Sequence, residues 1–177
     1  LLNHGVANIN DCTFSSNSVT TNGGAIWNDS TLTISGGSFT DNSANEGGAF
    51  FITPNATLKI DGGSIMGNTS VANGGAIAGN GSIYLEGNLQ VKENLPDNIY
   101  LRAGHVLYIE EPITSGENSI GINMEKTGVF TFGYYSSGTT TNPFFAYGIN
   151  GTTVIDGECS WIYGYYECSW DETTQKV

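Results

Sequence analysis

Hydrophobic and polar residues alternate over short stretches that return at a regular interval along the chain. The clearest stretches are four apolar pairs, each split by one residue: Leu32/Ile34, Leu58/Ile60, Ile83/Leu85 and Leu107/Ile109. Their leading members are 26, 25 and 24 residues apart. Such alternation is typical of a β-strand with one buried side, and Gly, Asn, Ser and Asp interrupt it too often for a helix. The pattern therefore predicts short strands in a repeat of 24–27 residues.

Two further signals share this period. An apolar residue lies five positions after Ile9, Ile34 and Ile60, and an asparagine comes three residues later. The asparagines are Asn17, Asn42, Asn68 and Asn94, the last after a one-residue insertion. Stacked asparagine amides can hydrogen-bond from one repeat to the next. We therefore predict an inward-facing asparagine ladder at one corner of each repeat.

A Gly-Gly-Ala sequence marks another position of the repeat. It begins at Gly23, Gly47 and Gly74, and its second glycines are Gly24, Gly48 and Gly75. Glycine permits positive φ and close approach of neighbouring backbones. We expect these glycines to form a second corner, with the apolar residues Ile26, Phe50 and Ile77 pointing into the core.

A repeat of this length without helices excludes ankyrin, tetratricopeptide and ordinary leucine-rich repeats, and it is too short for a propeller blade. It predicts an all-β parallel β-helix, in which each strand pairs with its equivalent one coil later. We place the β-helix at residues 1–133. Residues 134–177 are rich in aromatic residues and form either a β-rich cap or a continuation of the solenoid.

The repeated sequences also resemble a known family. The stretches "FSSN" and "FTDN", which alternate with "GGAI", "GGAF" and "GGAI", resemble the repeats of chlamydial polymorphic outer-membrane proteins. They are also similar to adhesin-like right-handed parallel β-helix proteins on the surface of gut bacteria and archaea. The resemblance covers about residues 1–94 and implies a right-handed, surface-exposed stalk or passenger, often involved in adhesion. It implies no chemistry fixed by the repeat itself.

Composition limits the partners. The 177 residues include 17 acidic and 5 basic side chains, for a net charge of −12. This balance argues against nucleic acid and against anionic membrane surfaces. The chain has no apolar run long enough to insert in a membrane, and it opens within a repeat and without a signal peptide. We therefore expect an extracellular, cell-surface segment of a longer protein.

The chain has three cysteines, which are too few for a disulfide framework and do not match a zinc motif. Cys159 and Cys168 each lie in an "ECSW" sequence on either side of Gly164, which suggests an antiparallel hairpin. A disulfide between them is one possibility, and two small buried thiols are the alternative. Cys12 is then an unpaired core residue.

We found no residues that predict catalysis, a metal site or a cofactor. A hydrolase would need two carboxylates on one side of adjacent coils. Asp11 and Asp61 occupy similar repeat positions but are two coils apart, which is typical of turn residues. His4 and His105 have no neighbouring ligands in the sequence. Five Asn-x-Ser/Thr triplets, beginning at Asn28, Asn55, Asn68, Asn80 and Asn150, arise easily by chance in a chain of this composition.

One set of aromatic residues is a candidate binding site: Trp161, Tyr163, Tyr165, Tyr166 and Trp170. Aromatic rings stack on sugars and form hot spots in protein interfaces, but these rings can equally cap the end of the solenoid. The sequence therefore favours a non-enzymatic, adhesin-like or structural surface module. A glycan-binding or polysaccharide-degrading β-helix is the alternative. The expected partners are a protein or glycan of a host or neighbouring cell, or a second copy joined end to end.

Overall fold

In the computed structural model, the described residues are 1–109, 113 and 120–125. The structure also describes the backbone of six later strands: Gly128–Val129, Thr131–Gly133, Phe144–Tyr147, Val154–Ile155, Glu158–Ile162 and Tyr165–Trp170. These parts of the chain contain β-strands and no helix. Most strands pair in parallel with their equivalents one coil later, along three faces of a solenoid.

The first face, which we call the Leu-x-Ile face, carries the alternating apolar pairs. Its strands are Val6–Asn10, Thr31–Ser35, the first half of Thr57–Met66, the first half of Ser82–Lys92, Leu107–Ile109 and Thr131–Gly133. Each pairs in parallel with the next. Leu32, Leu58 and Ile83 lie in register with one another, so like side chains stack on like.

The second face follows the double glycines, and we call it the Gly-Gly-Ala face. Its strands are Leu2–Asn3, Ile26–Asn28, Phe50–Ile52, Ile77–Gly79, Ile99–Leu101, Ile120–Met124 and Phe144–Tyr147. Each again pairs in parallel with the next. Ile26, Phe50 and Ile77 are fully buried, which confirms their predicted inward orientation.

The third face, which we call the Phe face, consists of Thr13–Ser15, Ser38–Thr40 and the second halves of Thr57–Met66 and Ser82–Lys92. A further parallel pair, Ser43–Glu46 with Thr69–Asn73, runs between this face and the Gly-Gly-Ala corner. Together the faces enclose one narrow apolar core. The structure is thus a parallel β-solenoid of about five turns, which confirms the predicted fold class.

Three phenylalanine rings pack together in the first coils. The rings of Phe14 and Phe39 stack with centroids 5.2 Å apart and an interplanar angle of 10°. Phe39 also meets Phe50 from the next face at 4.6 Å and 54°. Offset and tilted rings at such distances add to the stabilisation that burial already gives. The Phe and Gly-Gly-Ala faces are therefore packed directly against each other.

The strands after residue 125 are described by their backbone alone. Phe144–Tyr147 pairs in parallel with Ile120–Met124 and antiparallel with Val154–Ile155. Glu158–Ile162 and Tyr165–Trp170 form an antiparallel pair, and the second of these strands also pairs with Gly128–Val129. The boundary at residues 133 and 134 and the aromatic cap stay predictions.

Candidate functional site

The four predicted ladder asparagines form a continuous column of hydrogen bonds. The side-chain oxygen of Asn42 accepts from the backbone N–H and the Nδ2 of Asn17, at 3.1 and 2.8 Å. Asn68 Oδ1 accepts in the same way from Asn42, at 2.9 and 2.8 Å. Asn94 Oδ1 accepts from Asn68, at 2.9 Å for both bonds. Asn42 and Asn68 have no exposed surface, whereas Asn17 at the end of the column is exposed.

The same amides also bond to the backbone of the preceding coil. The Nδ2 groups of Asn42, Asn68 and Asn94 donate to the carbonyl groups of residues 14, 39 and 65, at 3.0, 2.8 and 2.9 Å. Each buried amide thus uses both its donor and its acceptor capacity. Buried polar groups that are fully paired hold one geometry, because any rearrangement leaves an unpaired group. The column therefore fixes the stacking of the coils.

The ladder ends at a residue that sequence reasoning missed. The backbone N–H and Nδ2 of Asn94 donate to Asn98 Oδ1 at 3.1 and 2.9 Å. Asn98 is fully buried and belongs to the same coil as Asn94. It lies only four residues away, so the 24–27-residue period could not reveal it. Within the part of the chain that the structure describes, its Nδ2 has no hydrogen-bond partner.

A second, shorter ladder runs along the Gly-Gly-Ala face. Asn3 Nδ2 donates to Asn28 Oδ1 at 2.7 Å, and Asn28 Nδ2 donates to the Thr57 carbonyl at 3.0 Å. Both side chains are buried. Asn3 and Asn28 are 25 residues apart, which matches the period of the sequence. The next coil carries Ile52 in register with Asn28, so this column of asparagines has only two members.

The predicted corner glycines are required for two different reasons. Gly23, Gly47 and Gly74 have φ values of 75°, 63° and 63°, which disfavour any residue with a Cβ. Gly48 lacks space instead: a Cβ there would overlap the carbonyl oxygen of Gly75 and lie 2.6 Å from that of Thr69. Gly24 and Gly75 are crowded by neighbouring backbone in the same way. These six glycines lie at the corner and build the scaffold.

The fourth coil replaces this corner with a buried carboxylate. The N–H of Gly48 donates to the carbonyl of Gly74 in the next coil. One coil later, the N–H of Gly75 donates to the carbonyl of Asp97, so Asp97 stands where a corner glycine stood. Asp97 is 2% exposed and its carboxylate accepts from the Gly74 N–H at 2.7 Å and from Asn123 Nδ2 at 2.8 Å. Burial raises the pKa of Asp97 above its ordinary value, although both hydrogen bonds oppose the rise.

A polar cluster lies outside that corner. Arg102 is the only arginine of the chain. Its Nη2 donates to both carboxylate oxygens of Glu46, at 2.8 and 3.0 Å. The side chains of Arg102 and Glu46 are 31% and 13% exposed, so the ion pair is partly shielded. The guanidinium carbon lies 5.8 Å from the ring centroid of Tyr100. The pKa of Tyr100 is raised by burial and by the charge of Glu125.

Aromatic side chains occupy outward positions on two faces. On the Gly-Gly-Ala face, Trp27 and Phe51 are in register and half-buried. The ring of His4 meets Trp27 edge-on at 5.5 Å. On the Leu-x-Ile face, Tyr84 and Tyr108 stack with ring centroids 4.7 Å apart and 19° between planes. These rings alternate with the inward core residues and form part of the surface.

The predicted aromatic binding set falls on the C-terminal antiparallel pair. Trp161 faces Tyr166 in the backbone register, and Tyr165 and Trp170 lie in the same second strand. Tyr163 lies outside the described residues. Cys159 and Cys168 are directly opposite each other in the register. The binding role of the aromatic residues and the disulfide stay predictions.

Cys12 is exposed and its thiol is free, so it is not the core residue that the sequence suggested.

The carboxylates that we compared for hydrolysis do not share a repeat position. Asp61 pairs with Ser35, which pairs with Asn10, so Asp11 lies one residue further along its coil. In the residues that the structure describes, no three His, Cys, Asp or Glu side chains are grouped closely enough to hold a metal ion. Among the same residues, no helix is long and apolar enough to cross a membrane.

Comparison with known proteins identifies one short match. Residues 11–29 match the family model described as the Chlamydia polymorphic membrane protein repeat. The matched stretch contains both "FSSN" and "GGAI", which confirms the resemblance drawn from those residues. The match suggests a surface or outer-membrane, adhesin-like protein with a β-solenoid fold. No curated protein and no solved structure is significantly similar to this chain.

Proposed function

We propose that this chain is a non-enzymatic, adhesin-like module on a cell surface and a segment of a longer protein. The observation that carries the proposal is the repeat match at residues 11–29. The matched residues are those that build a coil, with Asn17 at the ladder and Gly23 and Gly24 at the corner. The likeness therefore concerns the architecture of the repeat, and the surface role is the property that this repeat family suggests.

The distribution of polar groups supports a scaffold with a recognition surface. The buried asparagines bind neighbouring coils, and Glu46 and Asp97 are held by Arg102, Gly74 and Asn123. The outward rings, by contrast, vary from coil to coil. Partly exposed aromatic residues are enriched at interfaces because they combine apolar area with little loss of conformational entropy. The partner in this proposal is a protein or glycan on a host or neighbouring cell.

Binding of the purified chain to intact cells tests this function. Fluorescently labelled chain should bind epithelial or neighbouring microbial cells saturably, and excess unlabelled chain should displace it. A labelled protein of equal net charge is the control for charge effects. In the source organism, antibodies should reach the segment on intact cells. Failure of both the saturable binding and the surface labelling would contradict the proposal.

The stacked Tyr84 and Tyr108 favour glycan recognition as a second candidate, because aromatic surfaces pack against sugar rings. A glycan array would identify such a ligand, and Tyr84→Ser should then lower its affinity by at least tenfold. The matched control Thr33→Ser changes an outward position two coils earlier on the same face. Polysaccharide cleavage by the wild-type chain, if lost on replacement of one acidic residue, would instead show an enzyme.

End-to-end association is the third possibility. In the isolated segment, the strands Leu2–Asn3, Val6–Asn10 and Thr13–Ser15 form the first coil, and Leu1, Leu2 and Val6 are 60%, 61% and 77% exposed. A strand edge with exposed apolar side chains is a template for another chain. Light scattering should show a mass that rises with concentration, and a monomer throughout the range would argue against association.

A further inference from the structure

Four of the five Asn-x-Ser/Thr triplets lie in the described residues, and their environments differ sharply; the triplet at Asn150 lies outside the described residues. Asn28 has no exposed surface, and its amide is bound to Asn3 and to the carbonyl of Thr57. Asn68 is equally buried in the centre of the ladder. An amide nitrogen in either place cannot be reached from solvent, and a sugar attached to it has no space. Folding therefore removes two of the triplets from the surface.

Asn55 has the opposite environment. It lies in a turn that begins at Thr53 and closes through a hydrogen bond from the Ala56 N–H to the Thr53 carbonyl, at 3.1 Å. Pro54 precedes it, and its own φ is 68°. Proline followed by a residue with positive φ is characteristic of a type II turn. The side chain of Asn55 is exposed at the tip of this turn.

Asn80 is exposed on the same corner of the next coil. Its N–H donates to the Ile52 carbonyl at 2.8 Å, and its own carbonyl is 2.9 Å from His105 Nε2. The backbone is thus held while the side chain faces solvent. Thr57 pairs with Ser82, so the third positions of the two triplets are in register in consecutive coils. Both triplets therefore lie at the same corner of the solenoid.

The structure assigns Asn55 and Asn80 as acceptor sites for asparagine-linked glycosylation of the folded chain. The donor is a lipid-linked oligosaccharide. In this transfer the amide nitrogen forms a bond to C1 of the first sugar, the bond from C1 to the lipid phosphate breaks, and the amide proton is lost to a base on the transferase. Attached glycans are bulky and solubilising and need a surface loop. The corner between the Gly-Gly-Ala and Leu-x-Ile faces provides such a loop twice.

Glycosylation of the purified, folded chain tests the assignment. The chain is incubated with a lipid-linked oligosaccharide and a single-subunit oligosaccharyltransferase, and glycopeptides are mapped by mass spectrometry. We expect a glycan at Asn55 and at Asn80, and none at Asn28 or Asn68. Short synthetic peptides spanning residues 25–31, 52–58, 65–71 and 77–83 are the unfolded controls and should all accept a glycan.

Two pairs of variants separate the sites. Asn55→Gln and Asn80→Gln should each abolish only their own glycopeptide. Thr57→Val and Ser82→Ala remove the same acceptor sequences without touching the turn residues, so they should give the same losses even if a glutamine disturbs the fold. A glycan on Asn28 or Asn68 of the folded chain would overturn the assignment. So would a folded chain that is unmodified at Asn55 and Asn80 while the matching peptides are modified.

Discussion

Replacement of Asn68 by leucine is the sharpest perturbation of the ladder. Asn68 lies in its centre, has no exposed surface and is bonded on both sides. Leucine has the same branching and number of side-chain heavy atoms as asparagine, is somewhat bulkier, and neither donates nor accepts a hydrogen bond. The substitution therefore removes the polar contacts while keeping the shape of the side chain. We expect a large loss of stability with the solenoid otherwise retained.

The magnitude follows from the groups left behind. The backbone N–H of Asn42 loses its acceptor, Asn68 Oδ1, and the Phe39 carbonyl loses the donor Nδ2. Asn94 Oδ1 still accepts from the unchanged N–H of residue 68. Each buried group left unpaired costs about 1–3 kcal/mol. Burial of the leucine side chain offsets part of this cost, so we expect the free energy of unfolding to fall by about 2–4 kcal/mol.

The matched control is Asn17→Leu at the exposed end of the same ladder. Asn42 Oδ1 keeps the backbone N–H of Asn17 as a donor after this change, and water can reach the site. The loss should be about 0.5–1 kcal/mol. Urea unfolding followed by tryptophan fluorescence and far-UV circular dichroism gives both values, provided that the m-value is unchanged. Equal effects of the two substitutions would refute the argument that burial makes the central amide essential.

Three further outcomes can be measured on the same chain. Gly48→Ala should destabilise it by about 1–3 kcal/mol because the new Cβ would overlap the backbone of the next coil. Gly5→Ala has nothing within 4 Å of the added carbon and should change stability by less than about 0.5 kcal/mol. Because the folded pKa of Asp97 is raised, the folded chain holds that proton more tightly than the unfolded chain does, so the contribution of Asp97 to stability should fall as the pH rises above about 4. The midpoint of urea unfolding, measured as a function of pH, should therefore decrease above this pH in the wild-type chain and decrease less in Asp97→Asn. An equal decrease in both chains would show that the Asp97 carboxylate does not cause the pH dependence.

The repeating parts of the fold could be predicted from the sequence. In a parallel solenoid each residue meets its equivalent one coil away, so a structural requirement appears in the sequence as a period. Asn17, Asn42, Asn68 and Asn94 form a column for this reason. The double glycines recur because each corner places backbone against the backbone of the next corner.

Interactions that do not follow the period could not be predicted. Asn98 ends the ladder from within its own coil, and Arg102 reaches Glu46 across 56 residues. Neither contact repeats, so neither leaves a signal in a single sequence. Asp97 took the place of a corner glycine without any pattern to mark the exchange. The sequence showed where the scaffold was regular, and the irregular contacts required three-dimensional coordinates.

The same distinction indicates where recognition is to be sought. Residues 11–29 hold an intact ladder residue and an intact glycine corner, which are the positions that stacking constrains. Outward positions are free of that constraint: Leu2, Trp27 and Phe51 occupy one column of the Gly-Gly-Ala face in successive coils. A scaffold whose interior is fixed by periodic contacts can change its surface without losing its fold. Substitution of outward residues such as Trp27 should therefore alter binding at nearly constant stability, whereas substitution of the ladder should alter stability first.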